Sequence, residues 1–365
     1  GGIVPGSLTL IGGSPGVGKS TLLLKVAGSI AKSGKKVLYV SGEESAGQIK
    51  LRANRLDANH DSLYLLSEIK LEEIMDELLR ENYEVCIIDS IQTIYSSHLN
   101  SAPGSVSQVR EITFELMRKA KESNIAMFII GHITKDGSIA GPRVLEHMVD
   151  TVLYFEGESS KELRMLRGFK NRFGSTSEIG IFEMTAEGLI SAKDIASKFF
   201  DKNKAQSGSS LTVSMEGSRA IILEVQALVC ETTFPNPKRS ATGFDTNRLT
   251  MLLALLEKKL DLPFNHYDVF VNISGGIKIK ESSADLAVIA AIISSFRNRP
   301  ISKESVFIGE VSLTGEIKDV YSIDLRLKEA QAQGIKKAII AQKPNLKLDI
   351  KTFAVDEVSK VIELF

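Results

Sequence analysis

The sequence contains no tryptophan, only two cysteines and no excess of charge of either sign. Each shortage excludes something. Cys86 and Cys230 stand far apart and cannot form a disulfide framework or, alone, a zinc site, which fits a reducing cytoplasm. Cys86 lies inside the apolar run Val85-Cys86-Ile87-Ile88, the setting of a small buried hydrophobe. Forty-five basic residues balance 45 acidic ones, so no global positive field gathers nucleic acid, and any DNA contact has to come from local loops. No apolar run approaches the roughly 18 residues of a membrane span. The opening Gly1-Gly2-Ile3-Val4-Pro5-Gly6 lacks the basic and then apolar pattern of a signal peptide. The expectation is a cytoplasmic protein without a membrane partner. Because the chain runs almost at once into a strand and a glycine-rich turn, an N-terminal piece is expected to be missing.

What is present suits two packed domains. The chain has 365 residues, of which 43% are hydrophobic and 25% charged, enough for sizeable cores without metal or disulfide support. In the first half, short apolar runs alternate with amphipathic segments. Strands are expected at Ser7–Gly12, Lys35–Ser41, Val85–Asp89 and Ala126–Gly131, and helices at Lys19–Ser33, Leu71–Glu81 and Val106–Ser123. Several of these strands are apolar on both faces, which implies a parallel sheet covered on two sides. Thr151–Glu156, Leu163–Phe169 and Glu178–Met184 read as an antiparallel extension. The polar stretch Asp201–Ser210 reads as a linker or exposed loop. Beyond it the pattern is α/β again, with strands at Leu211–Met215, Ala220–Val229, Asp268–Ile273 and Lys337–Ile340. Helices are expected at Thr246–Leu260, Ser283–Phe296 and Leu325–Gln333.

Gly13-Ser14-Pro15-Gly16-Val17-Gly18-Lys19-Ser20 fits G-x-x-x-x-G-K-[ST] between an expected strand and an expected helix. Glycines let successive backbone N–H groups turn toward phosphate oxygens, and the helix start adds partial positive charge. Lys19 supplies a flexible cation for the β- and γ-phosphates of ATP, the Ser20 hydroxyl can ligate Mg²⁺, and Thr21 follows in the first helical turn. The strand Val85–Asp89 delivers the Asp89 carboxylate to the same sheet edge, where it can hold Mg²⁺ through water or Ser20. Glu43 and Glu44 end the strand Val37–Ser41. Strand-end placement favours Glu43 as the group that orients and deprotonates the attacking water, the alternative being two solvated loop acids. His132 follows Ala126–Gly131 and is read either as a γ-phosphate sensor or as a structural histidine. The segment Thr134–Pro142, with Lys135 inside it and Arg143 just beyond, suits a flexible DNA-contacting loop, with Tyr95–Gln108 as a second candidate. Arg167–Gly174 is the densest basic cluster of the first half. It is read as a cationic finger toward a neighbouring subunit, a DNA contact or a solvated hairpin.

The strings Gly13–Ser20, Tyr39-Val40-Ser41-Gly42-Glu43-Glu44-Ser45, Gly131-His132-Ile133-Thr134-Lys135 and Lys170-Asn171-Arg172-Phe173-Gly174 together resemble the bacterial RadA (Sms) family of RecA-related DNA repair ATPases, over essentially the whole chain. The resemblance implies a RecA-like P-loop ATPase domain (about 1–195) followed by a Lon-protease-like α/β domain (about 205–365). It further implies a hexameric ring on single-stranded and branched DNA that drives branch migration in partnership with RecA, using ATP, which becomes ADP, and Mg²⁺. By this resemblance Glu43 is the catalytic glutamate, and Lys170 and Arg172 act across the subunit boundary. Two departures stand out. The family's N-terminal four-cysteine zinc motif is absent, so zinc is expected only on a segment this chain lacks. In the second half, Ser283 matches the Lon nucleophile position, but counting back from Gly334-Ile335-Lys336 puts Asp324 at the lysine position, with Lys328 a turn further on. The Ser–Lys dyad is therefore read as degenerate. Other readings of the chain are an ATP-dependent Lon-like protease, a nucleotide-switched scaffold or kinase of the KaiC type, and a filament-forming recombinase.

Overall fold

The computed structural model describes residues 2–132, 143–157, 163–192, 205–233, 236–344 and 348–363. The chain divides into two compact units, Gly1–Ala192 and Lys193–Phe365.

The first unit is built on one nine-stranded sheet. Its strands are β1 (Leu8–Gly13), β2 (Val37–Ser41), β3 (Leu63–Ser67), β4 (Val85–Asp89), β5 (Ala126–His132), β6 (Thr151–Glu156), β7 (Leu163–Asn171), β8 (Ile179–Thr185) and β9 (Gly188–Ser191). The order β3-β2-β4-β5-β1-β6-β7-β8-β9 is parallel through β6, and β7 to β9 continue it as an antiparallel meander. Helices α1 (Lys19–Lys32) and α2 (Ala46–Arg55) cover one face, and α3 (Leu71–Arg80) and α4 (Val106–Ser123) the other. A short helix, α5 (Arg143–Met148), precedes β6. Two apolar cores result, one per face, which is why β1, β2 and β4 are buried along their whole length. This is the RecA-like α/β architecture expected for the first half. Cys86 is buried in one of these cores, where burial pushes its thiol up to about 12.

Local chemistry explains the connection that matters most. After β2 the chain makes a tight turn and enters α2 through a capping box, in which Ser45 Oγ accepts from the Gln48 N–H and Gln48 Oε1 accepts from the Ser45 N–H. Gly42 has to be glycine, because a Cβ there would lie 2.2 Å from Thr93 Oγ1. The Gly42 N–H donates to Asp89 O at 2.9 Å, tying the tips of β2 and β4 together.

The second unit contains β10 (Ser209–Glu216), β11 (Arg219–Glu231), β12 (Arg239–Thr242) and β13 (Tyr267–Ile273) in the order β10-β11-β13-β12. With them are the helices α6 (Thr246–Leu260), α7 (Asp285–Arg297) and α8 (Ile323–Ala332). A three-stranded parallel sheet is formed by Ser305–Ile308, Lys337–Ile340 and Lys351–Ala354. The polar stretch read as a linker is structured at its end. Ser209 and Ser210 open β10, and both hydroxyls are buried and bonded, Ser210 Oγ to Ala287 O and Ser209 Oγ to Glu224. Among the described residues no helix is long and apolar enough to cross a membrane.

Candidate active site

The loop 13–20 joins β1 to α1 at the C-terminal edge of the parallel strands, where α/β sheets bind their ligands. Its crown, Ser14-Pro15-Gly16, is exposed, while Gly13, Val17 and Lys19 are buried. Gly16 and Gly18 have φ of +74° and +108°. At Gly18 a Cβ would also meet Met184 Cε at 2.9 Å, so the β8 side chain packs directly beneath the loop. Gly18 caps α1 without any side-chain hydrogen bond, which leaves the helix start to an anionic ligand. Arg164, buried on β7, donates from Nε to Val17 O at 3.1 Å and braces the loop from below.

Lys19 folds back over the loop, its ammonium donating to Gly13 O at 2.8 Å and Ser14 O at 3.0 Å. Burial pulls its pKa down, while Asp89 and Glu43 pull it back up. Both acids therefore lie within electrostatic reach of Lys19, although about 25 and 70 residues separate them from it in sequence. Asp89, at the tip of β4, is buried, and burial raises its carboxyl above the usual range against hydrogen bonds from Tyr39 and Ser20. The Tyr39 hydroxyl donates to Asp89 Oδ2 at 2.6 Å. A buried carboxylate beside a serine hydroxyl, to which no lysine or arginine is bonded among the described residues, is a donor set suited to Mg²⁺, which keeps several waters and takes one or two protein oxygens plus phosphate. No cluster of three or more metal-ligating side chains occurs among the described residues.

The two glutamates at the tip of β2 differ. Glu44 is ion-paired to Arg52, its Oε1 2.6 Å from Arg52 Nη1, and its carbonyl accepts from Ser67 Oγ. Glu43 is exposed toward solvent and accepts from Ser90 Oγ at 2.6 Å, with Ser90 itself fully buried. Glu43 is thus held by a neutral hydroxyl, whereas Glu44 is committed to the cation of Arg52.

Other sequence-derived candidates lie elsewhere. In register, Thr151 on β6 pairs with Thr9 of β1 and with Asn171 of β7, so Lys170, Asn171 and Arg172 stand at the opposite end of the strands from the loop after Gly13. Lys170 Nζ donates to Glu146 O and Val149 O, both at 2.7 Å, and so caps the end of α5. Its pKa is lowered, chiefly by desolvation and then by Arg172. Arg172 reaches Asp150 Oδ1 at 3.3 Å and is half exposed. His132 closes β5 level with Gly13; its side chain, that of Arg143, and Lys135 with the segment 133–142 lie outside the described residues. The second loop candidate ends earlier than expected. Gln108 already belongs to α4, and its buried amide bonds Ser96 N–H, Ser96 O and Ser101 O, so it organises the loop rather than lying in it.

In the second unit the residue facing Ser283 is not Asp324, which is exposed, nor Lys328, also exposed, but Arg326. Arg326 is fully buried and donates to Ser283 Oγ at 3.0 Å, to both carboxylate oxygens of Glu281 and to Val213 O. The Ser283 hydroxyl donates to Glu281 Oε1 at 2.8 Å. A guanidinium does not lose its proton in proteins, so this cation cannot activate the serine as a lysine would.

Residues 1–138 match the AAA domain family, and residues 246–344 match the family described as subunit ChlI of Mg-chelatase. The DNA repair protein RadA of Campylobacter jejuni is 67% identical over all of this chain, which covers 81% of that protein. The Helicobacter pylori (strain J99) protein of the same name is 62% identical with the same coverage. The Bacillus subtilis protein is 54% identical over 93% of the chain and 74% of its own length. With identity of this depth spanning both units and the phosphate loop, the chain belongs to the RadA family.

Proposed function

We propose that this protein hydrolyses ATP with Mg²⁺ at the strand-tip site and uses the cycle on DNA during repair and recombination, driving branch migration of recombination intermediates with RecA. The observation that carries the reading is the convergence of Lys19, Ser20, Asp89 and Glu43 on one sheet edge beside an uncapped helix start. Kinship with proteins named for DNA repair supplies the nucleic-acid part.

The chemistry follows from those positions. N–H groups of residues 13–20 and the start of α1 receive the triphosphate, and Lys19 swings from the Gly13 and Ser14 carbonyls to the β- and γ-phosphates. Ser20 and Asp89 are the groups that would hold Mg²⁺, which neutralises phosphate charge and polarises the γ-phosphoryl when bound. Water attacks the γ-phosphorus, the bond to the bridging oxygen of ADP breaks, and the proton passes to Glu43. Lys170 and Arg172 stand too far along the sheet to serve their own loop, so a neighbouring protomer is the one whose γ-phosphate they would reach. The ring of six comes from the family resemblance. Lys135 and Arg143 are the proposed DNA contacts.

The second unit is read as a Lon-like platform without peptidase activity, because Arg326 occupies the side of Ser283 where a general base is required. A protease reading would need a neutral amine there.

Two measurements test the proposal. Single-stranded DNA should raise the ATPase rate of the wild type and leave Lys19→Ala inactive. Mixing Lys19→Ala subunits with Arg172→Ala subunits should restore part of the activity, because some interfaces then pair an intact loop with an intact arginine. No DNA response contradicts the motor reading, and no complementation contradicts the cross-subunit role.

A further inference from the structure

Two hydroxyls at the site have no role in the scheme above, and both donate to an acid that does. Tyr39 lies in the middle of β2, fully buried, with its phenol aimed at the tip of the adjacent strand β4. There it donates to Asp89 Oδ2 at 2.6 Å. Ser90, the residue after Asp89, is also fully buried and sends its hydroxyl the other way, to Glu43 Oε1 in the turn after β2 at 2.6 Å. Ser90 is itself held, since its carbonyl accepts from the Thr93 N–H and from Thr93 Oγ1 at 2.7 Å. The two contacts cross between neighbouring strand tips already joined by the Gly42 N–H to Asp89 O bond. Each acid thus takes its orientation from a residue on or just beyond the neighbouring strand.

Resting on the hydrolytic reading above, we propose that Tyr39 and Ser90 are positioning residues with separable duties. Tyr39 fixes the Asp89 carboxylate for Mg²⁺, and Ser90 fixes the Glu43 carboxylate for the attacking water. A donor occupying Oδ2 leaves the remaining lone pairs of Asp89 in one orientation toward Ser20 and the phosphates. Without it the carboxylate can rotate, and the cation loses a preorganised ligand. The Ser90 hydroxyl holds one oxygen of the solvent-exposed Glu43 carboxylate in a fixed direction. A water-activating group has to sit within hydrogen-bond reach of the water in the reactive geometry.

Tyr39→Phe and Ser90→Ala separate the two duties, each removing one oxygen from a buried site without adding volume. The binding readout is titration of a fluorescent ATP analogue in Mg²⁺ and again in EDTA; the catalytic readout is kcat at saturating Mg²⁺ and ATP. Thermal melts of both variants confirm folding. For Tyr39→Phe, affinity in Mg²⁺ should fall by about tenfold while affinity in EDTA stays within about twofold of wild type, with kcat largely restored at high Mg²⁺. For Ser90→Ala, affinity should stay within about twofold in both buffers while kcat falls by about tenfold or more. Equal losses in Mg²⁺ and EDTA for Tyr39→Phe, or a Ser90→Ala defect in binding rather than turnover, would overturn the assignment, as would wild-type behaviour of both variants. If the wild type itself shows no Mg²⁺-dependent nucleotide binding, the hydrolytic reading fails first.

Discussion

At the tip of β4 and in the turn before α7, the molecule gathers the same three kinds of side chain, largely buried in both places but differently committed to their neighbours. The first unit brings together Ser20, Asp89 and Lys19 with Glu43 exposed beside them, under an open loop crown. The second brings together Ser283, Glu281 and Arg326, with Arg326 at 0% and Ser283 at 2% exposure. In the first, polar groups are braced from behind and keep a face for a ligand. In the second, the cation spends its donors on Glu281, Ser283, Val213 O and Tyr321 O, leaving nothing for a substrate. Composition of a cluster therefore does not decide whether it is chemical or structural; whether it lies beside an open loop and an uncapped helix start does.

That contrast can be broken by experiment, and the largest effect is expected in the buried cluster. Arg326→Ala strands the Glu281 carboxylate and should cost the second unit about 3–5 kcal/mol in denaturant unfolding. A loss under about 1 kcal/mol would mean that the cluster is not a structural keystone. Glu43→Gln should lower kcat by about a hundredfold, close to 2.7 kcal/mol of barrier, while nucleotide affinity stays near wild type. Glu44→Gln should not do so, because that acid is committed to Arg52. If Glu44→Gln proves the slower enzyme, the assignment of the two acids is reversed.

A pH series sharpens the comparison further. Burial alone would raise the Glu281 carboxyl, but hydrogen bonds from Arg326, the Met215 N–H and Ser283 outweigh it and bring the pKa to about 2. A carboxyl held lower when folded stabilises the fold fully above its unfolded pKa, about 4.3, and progressively loses that contribution toward pH 2. The stability margin of wild type over Glu281→Gln should thus be constant near neutrality and shrink between about pH 4.5 and 2. A margin that grows on acidification contradicts the ion-pair account. The smallest effect is expected from Ser283→Ala, about 1 kcal/mol of stability with unchanged ATPase and no change in casein digestion. Loss of a protease activity in that variant would revive the peptidase reading.

How much of this could be read from the chain depends on how local each feature is. The phosphate loop was legible because all its groups are contiguous and its strand and helix are long and periodic. The strand tips bearing Asp89 and Glu43 were legible for the same reason. Tyr39 and Ser90 were not, because their importance lies in contacts between strands adjacent only after folding. Helix α2 has only the capping-box signature of Ser45-Ala46-Gly47-Gln48 to announce it, and β3 is obscured because its half-exposed edge position leaves no clean alternation. The clearest miss is Arg326. Counting along the sequence reached Asp324, and two residues on a helix rotate a side chain by about 200°, enough to exchange a solvent position for a core one. Arg164 beneath the phosphate loop was equally invisible, since a lone arginine in a strand signals nothing until its partner is known.

The most direct test of the central claim is phosphate release from ATP in Mg²⁺ by wild type and Lys19→Ala, measured side by side with both shown to be folded. Removing the one cation that the loop supplies should lower the rate by on the order of a hundredfold or more. Equal rates in the two proteins, or no release by the wild type, would contradict the claim that triphosphate is cleaved at residues 13–20.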